Sequence, residues 1–275
     1  MSRATHLTSL LKRWLHPDAV WAALPVAAAL ITLYVIVSAL SSRGVESLVN
    51  IVLSSEVHNA IRLSLFTSFT SSILALLTGI PIAYALSRYA FRGKAIVEVV
   101  LMVPFVMPPI ALGATLLIFF VNNPIGVLLN SVFRIVFEVP GIIVAQYSVV
   151  TPMMIKVLKS SFDLVDLRYE AVARTLGCSR VSALFRVVLP MARTGVLSSF
   201  ILGFGKALGE FGATATLAGV TKYKTETLPI AIYLTLSSGE LSLTVALIIV
   251  LIAIALAVLG LLHLIDRRAS QLAIV

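Results

Sequence analysis

A chain of 275 residues that is 59% hydrophobic and only 12% charged carries about half the charge density of a soluble domain, which is roughly 25%. With a mean hydropathy of +1.05, it is expected to live in a bilayer as helices. Long unbroken apolar runs exclude an outer-membrane barrel, whose ~10-residue strands alternate apolar and polar. The net charge of +9, from 21 Lys+Arg against 12 Asp+Glu, would suggest nucleic acid in a soluble protein. In a membrane protein the excess belongs to cytoplasmic loops, so no nucleic-acid partner is expected. A single cysteine, Cys178, permits neither an intrachain disulfide nor a thiolate metal cluster.

In chain order, residues 1–19 read as a cytoplasmic segment and 20–40 as a first transmembrane helix, long enough at 1.5 Å per residue for a ~30 Å hydrocarbon core. A cleaved leader is the alternative, because Arg3, Lys12 and Arg13 precede the run. However, the run exceeds a typical h-region of 7–15 residues, and the topology needs it. Further spans are expected at about 60–87, 96–121, 139–158, 194–218 and 241–265, followed by a cytoplasmic tail at 266–275. The piece at 227–238 is too short to cross and reads as a re-entrant or buried segment on the outer side. The fold class is therefore an all-α polytopic membrane protein with six transmembrane helices. Lys and Arg concentrate on one side. Lys156, Lys159, Arg168, Arg174, Arg180, Arg186 and Arg193 flank or occupy the loop between the fourth and fifth spans, which places both termini in the cytoplasm.

That loop, 160–190, is the longest and most charged. From Asp166, Leu167, Ala171 and Leu176 alternate with Arg168, Glu170 and Arg174, as in a short amphipathic helix. Gly177 supplies a left-handed stop. Ser179 can cap a second helix whose apolar face is Val181, Leu184, Phe185 and Val188. Pro190 ends it where the next span begins.

The pattern Glu170-Ala171-Val172, Gly177 seven residues after the glutamate, and Val187-Val188-Leu189-Pro190 resembles the coupling-loop signature of binding-protein-dependent ABC importer permeases. The signature is Glu-Ala-Ala, Gly, Ile-x-Leu-Pro, with Val172 and Val187 as the departures here. The resemblance runs from about 59 to 265, the type-1 permease core. It implies that the first short helix docks into a cleft on a separate ABC ATP-binding subunit. Glu170 would make a polar contact at that joint, Ala171 would allow close approach, Gly177 would set the helix–helix angle, and Leu189 and Pro190 would close the motif. It also implies a homodimer, an extracytoplasmic substrate-binding protein and residence in a prokaryotic plasma membrane. Alternating access would be driven by ATP bound to the partner, with no cofactor in this chain.

Within the fifth span, 204–219 resembles the molybdate and tungstate permeases, with sulfate permeases close. Lys206 stands where arginine is usual, keeping the charge without the bidentate fork. Lys206, Gly209, Glu210, Phe211 and Gly212 are the pathway or gate candidates. Gly205, Gly209 and Gly212 offer close helix approach, and Lys206 and Glu210, four apart, can neutralise each other. Thr115, Thr214 and Thr216 could offer hydroxyls to an oxyanion, although Thr in such helices commonly bonds backbone. Pro104, Pro108 and Pro109 predict a broken third span.

Gly203-Phe204-Gly205-Lys206 is not a phosphate loop, because Ala207 follows the lysine and no strand precedes it. Two other classes are weaker. A secondary transporter would show interrupted helices in matching halves. An intramembrane zinc enzyme would need His-Glu-x-x-His spacing, whereas His6, His16, His58 and His263 are scattered. No catalytic or metal-ligating set is expected.

Overall fold

The computed structural model describes residues 54–272, together with Ala27, Leu30, Ile31 and Tyr34. The expected first span, apart from those four residues, lies outside the described set, as does the end of the expected tail beyond Leu272. Eleven helical segments can be followed in the described core. These are α1 Ser55–Arg88, α2 Lys94–Val106, α3 Pro109–Asn122, α4 Pro124–Phe133, α5 Val139–Asp163, α6 Leu167–Thr175, α7 Arg180–Met191, α8 Arg193–Leu208, α9 Gly212–Ala218, α10 Leu228–Ser237 and α11 Leu241–Leu272. The protein is an all-α polytopic membrane protein. Among the described residues α1, α5 and α11 are each long and apolar enough to cross a bilayer, and α2–α3 supplies a bent pair.

α1 begins at Ser54, whose hydroxyl accepts from the Val57 N–H, and runs for 34 residues, about 50 Å at 1.5 Å per residue. Its buried face is made of small side chains: Ser64, Ser68, Ser71, Ser72, Ala75, Gly79 and Ala83. These let α5 approach closely, as small residues do between membrane helices. Gln146 of α5, 1% exposed, fastens three helices. Its Oε1 accepts from Ser71 Oγ at 2.9 Å, while its Nε2 donates to Ser68 Oγ at 3.3 Å and to the Ala207 carbonyl of α8 at 3.0 Å.

The third span breaks as the prolines predict. α2 ends at Val106, Met107 and Pro108 are extended, and α3 leaves at 106°. Pro108 and Pro109 cannot donate backbone bonds into a continuing helix. The fifth span is broken too, which the sequence reading did not anticipate. α8 stops at Leu208, and after Gly209 and Glu210 the chain re-forms α9. α3 and α9 then interlock. A Cβ on Gly113 would meet the Ala213 backbone at 2.7 Å, and one on Gly212 would meet Ile110 N at 3.0 Å. Of the three glycines singled out in sequence, only Gly212 sits at such an approach. Gly205 is in ordinary contact at 3.6 Å, and Gly209 has nothing nearer than 3.9 Å.

The short apolar piece at 227–238 is α10. It packs between α1 and α11 through Val57, Ala60, Leu228, Ala231 and Leu247, and its Leu228 N–H is held by Ser64 Oγ at 2.7 Å. α4 was not expected. Asn123 starts it by accepting from the Ile125 N–H at 3.0 Å, with Pro124 in the first turn, where a missing donor does no harm.

The Gly113 approach gives a direct test. Gly113→Ala places a methyl against backbone that cannot yield, and should destabilise the chain by about 1–3 kcal/mol. Gly205→Ala should be neutral or slightly stabilising, because alanine is the better helix former. Thermal melts of the purified chain in one detergent compare the two.

Candidate functional site

The 160–190 loop folds as two short helices whose ends are chemically defined. Asp166 Oδ1 accepts from the Arg168 N–H at 2.9 Å and starts α6. Gly177, at φ +91°, ends it in a Schellman turn: Cys178 N–H reaches Ala173 O and Gly177 N–H reaches Arg174 O, both at 3.0 Å. Ser179 then caps α7 through the Ser182 N–H at 3.1 Å. α7 widens into a π-turn over Leu184–Val188, ahead of Pro190, which has no N–H for a normal bond four residues back. Chain direction changes by 79° into α8.

The amphipathic pattern of α6 is the reverse of the ordinary one. Its buried residue is Glu170, 7% exposed, whereas Leu167, Val172 and Leu176 are 61%, 59% and 80% exposed. Glu170 Oε1 is ion-paired with Arg88 Nε at the end of α1, and Oε2 accepts from Tyr84 Oη at 2.8 Å. Arg88 also donates to the Val165 carbonyl at 3.0 Å and to Ser87 Oγ at 3.2 Å. Ser87 in turn donates to Asp163, which Lys159 holds at 3.0 Å. The polar contact expected of Glu170 is thus made inward, to its own chain. Burial of both charges is tolerable because each has several hydrogen-bond partners.

α7 is anchored differently. Leu184 and Val188 enter a core with Tyr84, Leu158, Phe162 and Val165. Val181 and Phe185, assigned in sequence to that same face, stand exposed at 66% and 62%; four residues apart, they form a stripe beside that of Leu184 and Val188, and only the latter turns to the core. Ala171 and Pro190 are exposed and Leu189 half-buried against the core. Leu164, Leu167, Val172, Leu176, Val181 and Phe185 are therefore large apolar side chains that the described residues leave exposed.

The pathway candidates separate. Lys206 and Glu210 form no ion pair: the helix ends at Leu208, so the two no longer share a helical face. Glu210, 2% exposed, turns to α9, where its Oε1 accepts from the Ala213 N–H at 3.0 Å. A carboxylate there satisfies an orphan donor and the helix dipole together. Lys206 is exposed with no ion-pair partner among the described residues. Phe211 packs on Tyr233 of α10, with ring centroids 5.2 Å apart. Thr115 and Thr216 donate to their own helices, at 2.9 and 2.8 Å. Thr214 Oγ1 is buried with no partner among the described residues.

Outside these helices, Lys222 pairs with Glu56 at 2.6 Å and Lys224 with Glu138. Glu226, near the Lys222–Glu56 pair and 2% exposed, accepts from the Tyr223 N–H at 2.7 Å through one oxygen. Its other oxygen has no partner among the described residues. Burial pushes its carboxyl above the ordinary value of 4.5. The Tyr223 N–H opposes that shift and the Glu56 charge adds to it.

Residues missed in sequence are Arg88, Tyr84 and Asp163. Arg88 looks like an ordinary basic residue in the last turn of a helix, and the contacts that give it meaning lie 82 and 77 residues away.

Residues 75–271 match the family described as the binding-protein-dependent transport system inner membrane component. A probable molybdenum ABC transporter permease of Haloferax volcanii is 38% identical over 177 residues, which is 64% of this chain and 64% of that protein's length. A molybdenum transport system permease of Haemophilus influenzae is 34% identical over 178 residues, covering 64% of this chain and 78% of that one. A molybdate/tungstate transport system permease of Thermococcus kodakarensis is 37% identical over 174 residues, 63% and 66% of the two chains. Among solved structures, a bacterial alginate ABC transporter chain superposes with a TM-score of 0.69 at 18% identity, covering 97% of each chain. A chain of the MetNI methionine transporter superposes with a TM-score of 0.56 at 16% identity, covering 75% of this chain and 94% of that one. These two show the shared fold.

Two measurements follow from the geometry. Arg88→Leu or Glu170→Leu strands a buried charge, which typically costs about 3–5 kcal/mol. Trypsin should then cut at Arg168 and Arg174 at least about tenfold faster, as α6 opens more often. Tyr84→Phe should have a smaller effect. Arg88→Glu combined with Glu170→Arg should slow the cut only in part, because a carboxylate at position 88 cannot donate to the Val165 carbonyl. The second concerns pH. With its folded pKa raised, Glu226 imposes no penalty below the ordinary carboxylate range and a full one above its raised value. Thermal stability should therefore fall as pH rises through that window, and Glu226→Gln should flatten the fall.

Proposed function

We propose that this chain, which belongs to the family of binding-protein-dependent transport system inner membrane components, is the non-catalytic permease subunit of an ATP-driven ABC importer for a tetrahedral oxyanion, molybdate or tungstate. The observation that carries the coupling role is the inverted helix α6. A buried ion pair holds it from behind, so its apolar side chains are presented outward on a rigid mount. The partner that fits is the ATP-binding subunit, which supplies the hydrolysis, with an extracytoplasmic binding protein on the opposite face. Two copies of this chain would enclose the pathway. The Lys and Arg residues around α6 and α7 support a cytoplasmic position for that end.

Several features support the cargo. The relatives named above are molybdenum or molybdate/tungstate permeases. Lys206 is a cation in α8 with no ion-pair partner among the described residues, and intramembrane charges face protein or a water-filled route. In this reading Lys206 draws the dianion along the dimer axis, while Glu210, committed to the α9 N-terminus, is a structural cap and not a substrate ligand. Mechanically, closure of the ATP-binding subunits pulls α6. Arg88 and Tyr84 pass the displacement to the foot of α1, and Leu184 and Val188 pass it to α5.

The test is uptake in vesicles containing this chain, its ATP-binding subunit and its binding protein, with ATP on the subunit's side. Labelled molybdate should accumulate, tungstate should compete, and sulfate should compete weakly. Lys206→Leu should lower uptake about tenfold while Lys206→Arg retains most of it. Glu170→Arg should abolish uptake with the chain still inserted. Sulfate accumulation in preference to molybdate would overturn the cargo, and normal uptake by Glu170→Arg would overturn the coupling role.

A further inference from the structure

Beside the Arg88 end of α1, a cavity between α2 and α5 meets an open groove along the outer face of α2. The first, about 450 Å3, is lined by Lys156, Lys159, Ser160 and Asp163 of α5 and by Glu98 of α2, over an apolar floor. The second, about 740 Å3, shares Glu98 and Met102 with it and continues along α2 past Val99, Val103 and Val106 to Pro108. No residue of α2 is buried; Val99 is 67% and Val106 78% exposed. From Glu98 to Pro108 is about 15 Å at 1.5 Å per residue. That is half of a ~30 Å hydrocarbon core, so the groove is about as long as one leaflet is deep, and its lining ends at Met107 and Pro108.

The charges at its mouth are unevenly matched. Lys159 is committed to Asp163 at 3.0 Å and reaches Glu98 Oε1 only at 3.8 Å. Glu98 Oε1 is itself buried and has no hydrogen-bond partner among the described residues. Lys156 is exposed and forms no ion pair among the described residues. The mouth therefore presents the Glu98 carboxylate, its side chain 38% exposed and held by Lys159 only at 3.8 Å, and one free ammonium, above a run of apolar side chains.

We infer that this cleft is a binding site for a phospholipid with a primary-amine headgroup, phosphatidylethanolamine, in the leaflet on the Lys94 side of the membrane. The lipid phosphate takes the Lys156 ammonium, the lipid ammonium donates to Glu98, and one acyl chain lies along Val99, Val103 and Val106. An acidic lipid without an amine would satisfy Lys156 but could offer Glu98 only a neutral hydroxyl, beside further negative charge. A choline headgroup has no N–H to give Glu98. The inference is independent of the cargo and of the coupling role.

The test is native mass spectrometry of the full chain extracted from bilayers of equal phosphatidylethanolamine, phosphatidylcholine and phosphatidylglycerol. Phosphatidylethanolamine should be retained about tenfold over phosphatidylcholine, the size of one charge-assisted hydrogen bond. Retention should step down through the N-methyl and N,N-dimethyl headgroups, a series on the unaltered chain that needs no variant to fold. Glu98→Gln and Lys156→Gln should each lower the preference. Equal retention of the amine and choline lipids, a preference for phosphatidylglycerol, or an unchanged preference in both variants would overturn the assignment.

Discussion

The close seam between α1 and α5 is the contact on which the other features depend. In hydrocarbon there is no water to satisfy a polar group, and no hydrophobic drive to bring two apolar helices together. Association then rests on close packing and a few interhelical hydrogen bonds. α1 meets that demand with serines and small residues whose hydroxyls also close onto their own helix, as Ser71 does on Thr67 and Ser72 on Ser68. Gln146 adds the interhelical bonds and carries α8 into the same seam. Because α1 is a single helix across the whole bundle, it joins regions far apart. Ser64 holds α10 near one end, and Tyr84 and Arg88 hold α6 at the other.

The inverted α6 follows from a conflict between two demands on a nine-residue helix. Such a helix is too short to be stable alone. It must be fastened to the bundle, yet its apolar side chains are the ones proposed to meet a partner. Fastening by a buried carboxylate frees those side chains. It also makes attachment directional, because an ion pair braced by Tyr84 and the Val165 carbonyl resists sliding in a way that an apolar contact does not. The cost is a set of exposed apolar side chains, the kind of surface that marks a contact with a partner.

Much of this was legible in the sequence where the signal is local. The apolar runs for the spans within the described residues, the Gly177 stop, the Ser179 cap and the proline break of the third span each depend on residues within a turn of one another. What was not legible depends on partners distant in sequence. Alternation of Leu167, Ala171 and Leu176 with charge predicts which residues share a face, but not which face turns inward; Arg88 decides that from 82 residues away. The Lys206–Glu210 pairing failed for a related reason. Spacing of four implies a contact only inside one continuous helix, and the helix ends at Leu208. Nothing in Leu208-Gly209-Glu210 demands that ending. Gly209, at φ −89°, is not even in a conformation reserved for glycine, and the break becomes intelligible only through the α3 contact that Gly212 makes.

That contact links the two broken spans. α3 and α9 are the second halves of the third and fifth spans, and both are cut loose from their first halves at mid-chain breaks. Gly113 against Ala213 and Gly212 against Ile110 bring them to backbone contact, a spacing that leaves no room for one to slide without the other. Leu112, Ala213 and Leu217 then share a core with Ala145 and Val149 of α5. Two helices hinged separately but interlocked side by side move as one body about their hinges, since packed interfaces shift between discrete arrangements and do not deform continuously. Glu210 caps α9 at its hinge, and Phe211 leans on Tyr233 of α10. In the proposed cycle the displacement entering at α6 therefore reaches the pathway through α5. In that cycle the glycine interlock, more than the Lys206 charge, would determine whether the two breaks act as one gate or as two.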